Sequence, residues 1–142
     1  SNFSVYQHQL LVSFLNIPVV SNHIDLNLLN TSALDNGIVD YIKQKYMRPL
    51  AVSPLAGGRI EHGTDEQALK LRKKLNEMAT KYDSNIESVA VAWLIKLGAL
   101  PLIGTLEENR IQNIVDAFEI EMDHQDWYEL YNTTKPTQSV LD

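Results

Sequence analysis

The chain has 142 residues, 44% of them apolar, a formal net charge of −6 and no cysteine. That is the size and make-up of one globular domain; disulfide and thiolate chemistry are excluded, and a reducing, cytoplasmic setting fits. With 12 basic against 18 acidic residues there is no basic stripe for nucleic acid. The apolar runs fall short of the ~20 residues of a membrane span, the first residues lack the design of a signal peptide, and His8, His23, His62 and His124 have no metal-ligand spacing.

In chain order, Ser4 is placed to cap a helix over Val5–Leu15, with Val5, Leu10, Leu11, Phe14 and Leu15 at helical spacing. The β-branched run Pro18–Ser21 leads through Asn22-His23-Ile24-Asp25-Leu26, a strand emerging into a loop. Thr31 or Ser32 then opens a helix expected to continue to Lys45. Pro49–Val52 is a second short strand, followed by Ser53-Pro54-Leu55-Ala56-Gly57-Gly58, a small-residue loop that lets backbone N–H groups approach a phosphate. Thr64-Asp65-Glu66 starts a charged amphipathic helix to Tyr82, and Ser84 or Asn85 starts another over Ile86–Leu97. The second is apolar almost all round and must be buried, and Gly98 ends it. Leu100–Ile103 is the third strand; helices over Glu107–Ala117 and Asp123–Tyr131 close the chain.

Short apolar strands alternating with helices imply an α/β fold with a parallel sheet under helices. No Gly-x-Gly-x-x-Gly follows a first strand, so the dinucleotide fingerprint of the open doubly wound fold is absent. Three strands alone leave open edges, which favours part of a closed barrel. The start inside a loop at Ser1 reads as a piece of something larger.

Three segments in fixed order carry a resemblance: Ser1-Asn2-Phe3, then Ser53-Pro54-Leu55-Ala56-Gly57-Gly58, then Gly104-Thr105 with Arg110 six residues after the glycine. Together they resemble the second half of an aldo-keto reductase, an NADP-dependent (β/α)8 barrel, over essentially the whole chain. The resemblance implies a single partial domain, the C-terminal part of a TIM barrel. It also implies NADPH as cofactor and a small-molecule carbonyl substrate. Ser1 and Asn2, with His23 where relatives usually have Gln, would hold the nicotinamide carboxamide. Val52 stands where many relatives stack an aromatic residue on the ring. Ser53, Pro54, Leu55, Gly57, Gly58 and Arg59 would form the pyrophosphate loop, Ser53 binding an oxygen and Leu55 and Gly57 offering N–H groups. Gly104, Thr105 and Arg110 would stand at a helix start that suits an anion, Thr105 meeting the 2′-phosphate and Arg110 either the same phosphate or the face of the adenine, with Asn113 bonding to the adenine. Relatives often carry Lys at the position of Gly104, and Glu and Asn at those of Asn113 and Ile114, so preference for NADP over NAD stays open.

Plainer readings stand beside these. Ser1-Asn2 is also a helix N-cap or a remnant at the chain start, and His23 a solvent-edge histidine. The glycine loop also serves as a connector, and Arg110 can pair with Glu107 on a helix surface. Trp93 and Trp127 are expected in the core. The pairs Asp25/Asp35 and Asp123/Asp126 lack the apolar setting that splits two carboxyl pKa values. The family's proton-transfer set of Tyr, Lys, Asp and His belongs to earlier strands, so no catalytic residue is assigned and the isolated chain is expected to be inactive. Two other classes remain: a half-barrel module that self-associates through its open edges, and a small α/β domain binding another phosphate ligand at Gly57-Gly58. The segment from Thr133 to Asp142 offers no pocket wall by sequence.

Overall fold

The computed structural model describes residues 1–135; the end of the segment from Thr133 lies outside them. Three parallel strands, β1 (Ser21–Asp25), β2 (Arg48–Val52) and β3 (Leu100–Pro101), lie side by side in chain order. Ser21 pairs with Arg48 and Asp25 with Val52; Leu50 then pairs with Leu100 and Ala51 with Pro101. Helices fill every connection, the arrangement that parallel strands require.

Helix α1 (Val5–Ser13) opens with a capping box in which Ser4 and Gln7 satisfy each other's backbone N–H groups. It ends before the expected Leu15. The strand expected from Pro18 begins later, because pairing with Arg48–Val52 sets its start at Ser21. The single helix expected between Thr31 and Lys45 is two: α2 (Ser32–Asp35) and α3 (Ile38–Gln44). Gly37 separates them at φ 79°, and the Asn36 side chain accepts from the Ile38 N–H at 3.1 Å. A left-handed residue cannot continue a right-handed helix.

After β2 come a 3-10 turn at Ala56–Gly58 and the short α4 (Arg59–His62). Helix α5 (Glu66–Lys81) is capped by Asp65, and α6 (Ile86–Leu97) by Asn85 with Gly98 at its end. β3 is shorter than the expected Leu100–Ile103, since Pro101 has no N–H to donate; Leu102 still donates to Ala51 O at 2.9 Å. Helices α7 (Glu108–Asp116) and α8 (His124–Thr133) complete the described chain.

The core lies between sheet and helices. Val89, Ala90, Val91, Ala92, Trp93 and Leu94 are all buried on α6, as its apolar sequence requires. Leu71 and Leu75 of α5, Ile24 and Ala51 of the sheet and Leu130 of α8 pack with them. Trp93 and Trp127 stack at 5.0 Å, and each indole N–H donates to the other residue's carbonyl, at 3.1 and 3.0 Å. This joins α6 to α8 and supports the core reading of both tryptophans. Among the described residues no helix is long and apolar enough to cross a membrane, and no group of side chains is arranged to hold a metal.

Candidate nucleotide-binding site

The C-terminal ends of β2 and β3 open into one cavity of about 480 Å³. On one side stand Val52, Ser53, Pro54, Leu55, Gly57 and Gly58; on the other, Leu102, Ile103, Gly104, Thr105, Arg110 and Ile114. Two segments about 50 residues apart in sequence meet there because β2 and β3 are adjacent parallel strands, whose following loops share one edge of the sheet.

The β2 loop is tightly wound. Ser53, Ala56, Gly57 and Gly58 all have left-handed backbone, at φ 53°, 52°, 60° and 88°. Pro54 and Leu55 alone separate Ser53 from the consecutive left-handed run Ala56–Gly58, and backbone N–H groups in so tight a turn can line a concavity that suits an anion. A Cβ placed on Gly57 or Gly104 would meet no protein atom within 4 Å. At both points the missing side chain leaves open space and not a packing contact. Among the described residues the N–H groups of Leu55, Gly104 and Thr105 have no hydrogen-bond partner, so the loops present donors as well as room. The Thr105 hydroxyl accepts from Glu107 N at 3.1 Å and helps to start α7.

Arg110 lies on the first turn of α7 and is the one cationic side chain in the lining. It does not pair with Glu107. Its Nε donates to Glu87 Oε1 at 2.9 Å, and Nη2 is 2.8 Å from the same oxygen. Glu87, in the first turn of α6, has a side chain only 8% exposed. Its second oxygen accepts from Asn113 Nδ2 at 2.8 Å. Asn113 in turn accepts from Asn85, and its carbonyl from Ser88 Oγ.

A sequence model of the aldo/keto reductase family matches residues 1–133. The chain belongs to that family. It is 33% identical over 133 residues to a 6-dehydroglucose reductase of Agrobacterium fabrum, covering 92% of this chain and 44% of that one. It is 32% identical over 133 residues to the oxidoreductase YdhF of Escherichia coli, again 92% and 44%. Among solved structures it resembles the aldo-keto reductase AKR2E5 of the silkworm Bombyx mori, with TM-score 0.79, 23% identity, and 93% and 40% coverage. The same enzyme complexed with NADPH matches with TM-score 0.75 and 22% identity, again at 93% and 40%. The chain therefore has the fold of part of an aldo-keto reductase TIM barrel, and it spans less than half the length of these relatives.

The structure distributes the residues assigned by family resemblance unevenly. Val52, Ser53, Pro54, Leu55, Gly57, Gly58, Gly104, Thr105 and Arg110 share the cavity. Arg59 is not in its lining: its guanidinium holds Asp65 at 2.9 and 3.2 Å, and these hydrogen bonds lower the Asp65 pKa. Asn113 is held in the Glu87 network, while its neighbour Ile114 lines the cavity. Ser1 and His23 border a separate recess of about 210 Å³. Asn2, at φ 54°, donates its N–H to His23 O at 2.6 Å, and its side chain accepts from Asp25 N at 3.2 Å. It thus runs along the outer edge of β1.

Sequence reasoning missed Glu87. Its one signal was a lone carboxylate in an otherwise apolar helix, which reads as an ordinary acidic first turn. It also missed two Tyr–Lys–Asp clusters. Tyr82 donates to the buried Asp126 at 2.5 Å beside Lys81, 2.6 Å from the same oxygen. Burial first, and this bond second, raise the Tyr82 pKa, while the bond to Asp126 raises that of Lys81. Tyr131 donates to Asp35 at 2.5 Å next to Lys135. None of these residues lines the cavity.

Proposed function

We propose that this chain is the cofactor-binding part of an NADPH-dependent, cytoplasmic oxidoreductase that reduces aldehydes or ketones to alcohols. The observation that carries the reading is the cavity in which a left-handed small-residue loop and the N-terminal turn of α7 face each other with Arg110 between. An aldo-keto reductase of similar fold forms a complex with NADPH, and an inhibitor complex of another, at TM-score 0.77, has epalrestat bound.

NADPH, when bound, supplies the hydride, and the protein orients it. In this chain the loop N–H groups and Ser53 would hold the pyrophosphate; Thr105 and Arg110 would hold the 2′-phosphate of the adenosine. Val52, at the end of β2, would give the nicotinamide ring an apolar contact, and Ser1, Asn2 and His23 would border its carboxamide. Proton transfer to the carbonyl oxygen is assigned to residues outside this chain. Its tyrosines lie on helices or just past their ends and outside the cavity lining, so the chain by itself would bind cofactor without turnover. Calorimetric titration with NADPH tests this: binding should weaken in Arg110→Ala by about 1–3 kcal/mol, the scale of a hydrogen bond to a charged group. No binding by the wild-type chain would overturn the reading.

A second reading, self-association of a half barrel, has its own support. Tyr6, Leu10 and Phe14, spaced along one side of α1 and its cap, are 82%, 63% and 79% exposed, with Ile17 and Val20 exposed nearby. Single exposed apolar residues are ordinary, but a row of them is not. The outer edge of β1 has no strand beside it among the described residues, only Asn2, which bonds to His23 O and Asp25 N. A dimer by sedimentation that dissociates on Phe14→Glu would favour this reading; a monomeric wild-type chain would remove it.

A further inference from the structure

We infer that Glu87 sets how strongly this site distinguishes a 2′-phosphate from a 2′-hydroxyl on the nucleotide. The inference rests on the nucleotide reading of the cavity and concerns a residue outside its lining.

Arg110 is the sole lysine or arginine among the lining residues, so any phosphate selected by charge is selected by this guanidinium. The charge is not free. Glu87 holds Arg110 through Nε and Nη2 at 2.9 and 2.8 Å, with its carboxylate almost wholly withdrawn from water. A pair so placed is weakly screened and acts at short range as a near-neutral unit. The Arg110 side chain, by contrast, remains 31% exposed, and Nη1 has no partner among the described residues. Glu87 therefore does two things. It fixes the guanidinium plane, leaving Nη1 as a donor toward a ligand, and it offsets the positive charge that would favour a dianion over a hydroxyl. A hydroxyl can accept the same Nη1 hydrogen bond, since guanidinium donors need only an oxygen lone pair.

Glu87 is itself held in place. Its other oxygen takes the Asn113 amide, and Asn113 is fixed by Asn85, the cap of α6, and by Ser88 in the first turn of that helix. The carboxylate thus cannot turn away from Arg110 without breaking a second, part-buried contact. Its position at the α6 N-terminus lets it be buried with its charge, because the helix dipole favours an anion there.

The test is a titration of the full 142-residue chain with 2′,5′-ADP and with 5′-AMP, at low and moderate salt. The wild-type chain should bind both, favouring 2′,5′-ADP by less than about tenfold, below the worth of one charge-assisted contact. Glu87→Gln keeps the side chain's length and an oxygen for Arg110 but removes the charge, and with it the acceptor for Asn113 Nδ2. It should raise 2′,5′-ADP affinity by about tenfold, leave 5′-AMP unchanged and steepen the salt dependence of the first alone. Glu87→Asp, which keeps the charge, should leave the ratio near that of the wild type. A merely structural Glu87 would weaken both nucleotides together. Binding of both with a ratio unmoved by Glu87→Gln overturns this inference and leaves the nucleotide reading standing; binding of neither by the wild type overturns both. A wild-type preference of a hundredfold or more overturns it with no variant at all.

Discussion

Replacing Gly57 with alanine separates a phosphate cradle from a plain connector. Gly57 sits at φ 60°, where a Cβ costs about 1–2 kcal/mol of backbone strain; the adjoining Ala56, at φ 52°, already adopts such a conformation. The added methyl would meet no protein atom within 4 Å, so strain is the whole folding cost, small beside the ~5–15 kcal/mol that holds a domain together. A bound phosphate is another matter. Backbone donors hold their acceptors at about 2.7–3.2 Å, and a methyl on the face that lines the cavity forces the phosphate back. Losing one charge-assisted bond would cost about 1.5–3 kcal/mol, more than tenfold in affinity. Gly63→Ala is the contrast: its Cβ would lie 2.5 Å from Arg59 O and 2.7 Å from the Ala68 Cβ, and Gly63 does not line the cavity. It should lower stability by about 1–3 kcal/mol or more through overpacking and leave the folded fraction's affinity unchanged. Urea unfolding and calorimetry with NADPH on both variants give the answer. A folded Gly57→Ala chain that binds NADPH as tightly as the wild type would refute the cradle.

Trp93→Ala should cost about 3–5 kcal/mol in chemical denaturation, since it empties a fully buried site and removes the stack and hydrogen bond to Trp127. Tyr82→Phe should cost about 1–2 kcal/mol, because the hydroxyl serves both the buried Asp126 and the Asp123 N–H; an unchanged urea midpoint would count against that role. Asp35 is held below its ordinary 3.8 by hydrogen bonds from Lys135 and then Tyr131. A carboxyl with a lowered folded pKa stabilises above its unfolded value and loses that contribution as pH falls through the folded one. The end of α8 should therefore loosen below about pH 3.8, seen as faster amide exchange near Thr133, with the effect absent in Asp35→Asn. Lys81, raised by Asp126, has the opposite sign: its contribution is complete below 10.5 and is lost only at higher pH, so it should not vary across the neutral range.

Much of the fold was legible because its signals are local. Caps at Ser4, Asp65 and Asn85 and the stop at Gly98 are written within a few residues of the turns they make, and the uniform apolarity of Ile86–Leu97 dictates a buried helix before any partner is known. The small-residue loop after β2 announces its own geometry, since Gly57 and Gly58 tolerate the left-handed backbone found there. What the sequence left out depends on neighbours far along the chain. The start of β1 follows from its register against Arg48, and a break at Gly37 outweighed the apolar spacing that ran through it. Above all, Arg110 was weighed against Glu107, three residues away, but the structure gives it Glu87, 23 residues earlier on another helix. Periodicity can place a charge on a face of its own helix. Only the packing of α6 against α7 brings a buried carboxylate to that charge, and so fixes how much of it a ligand meets.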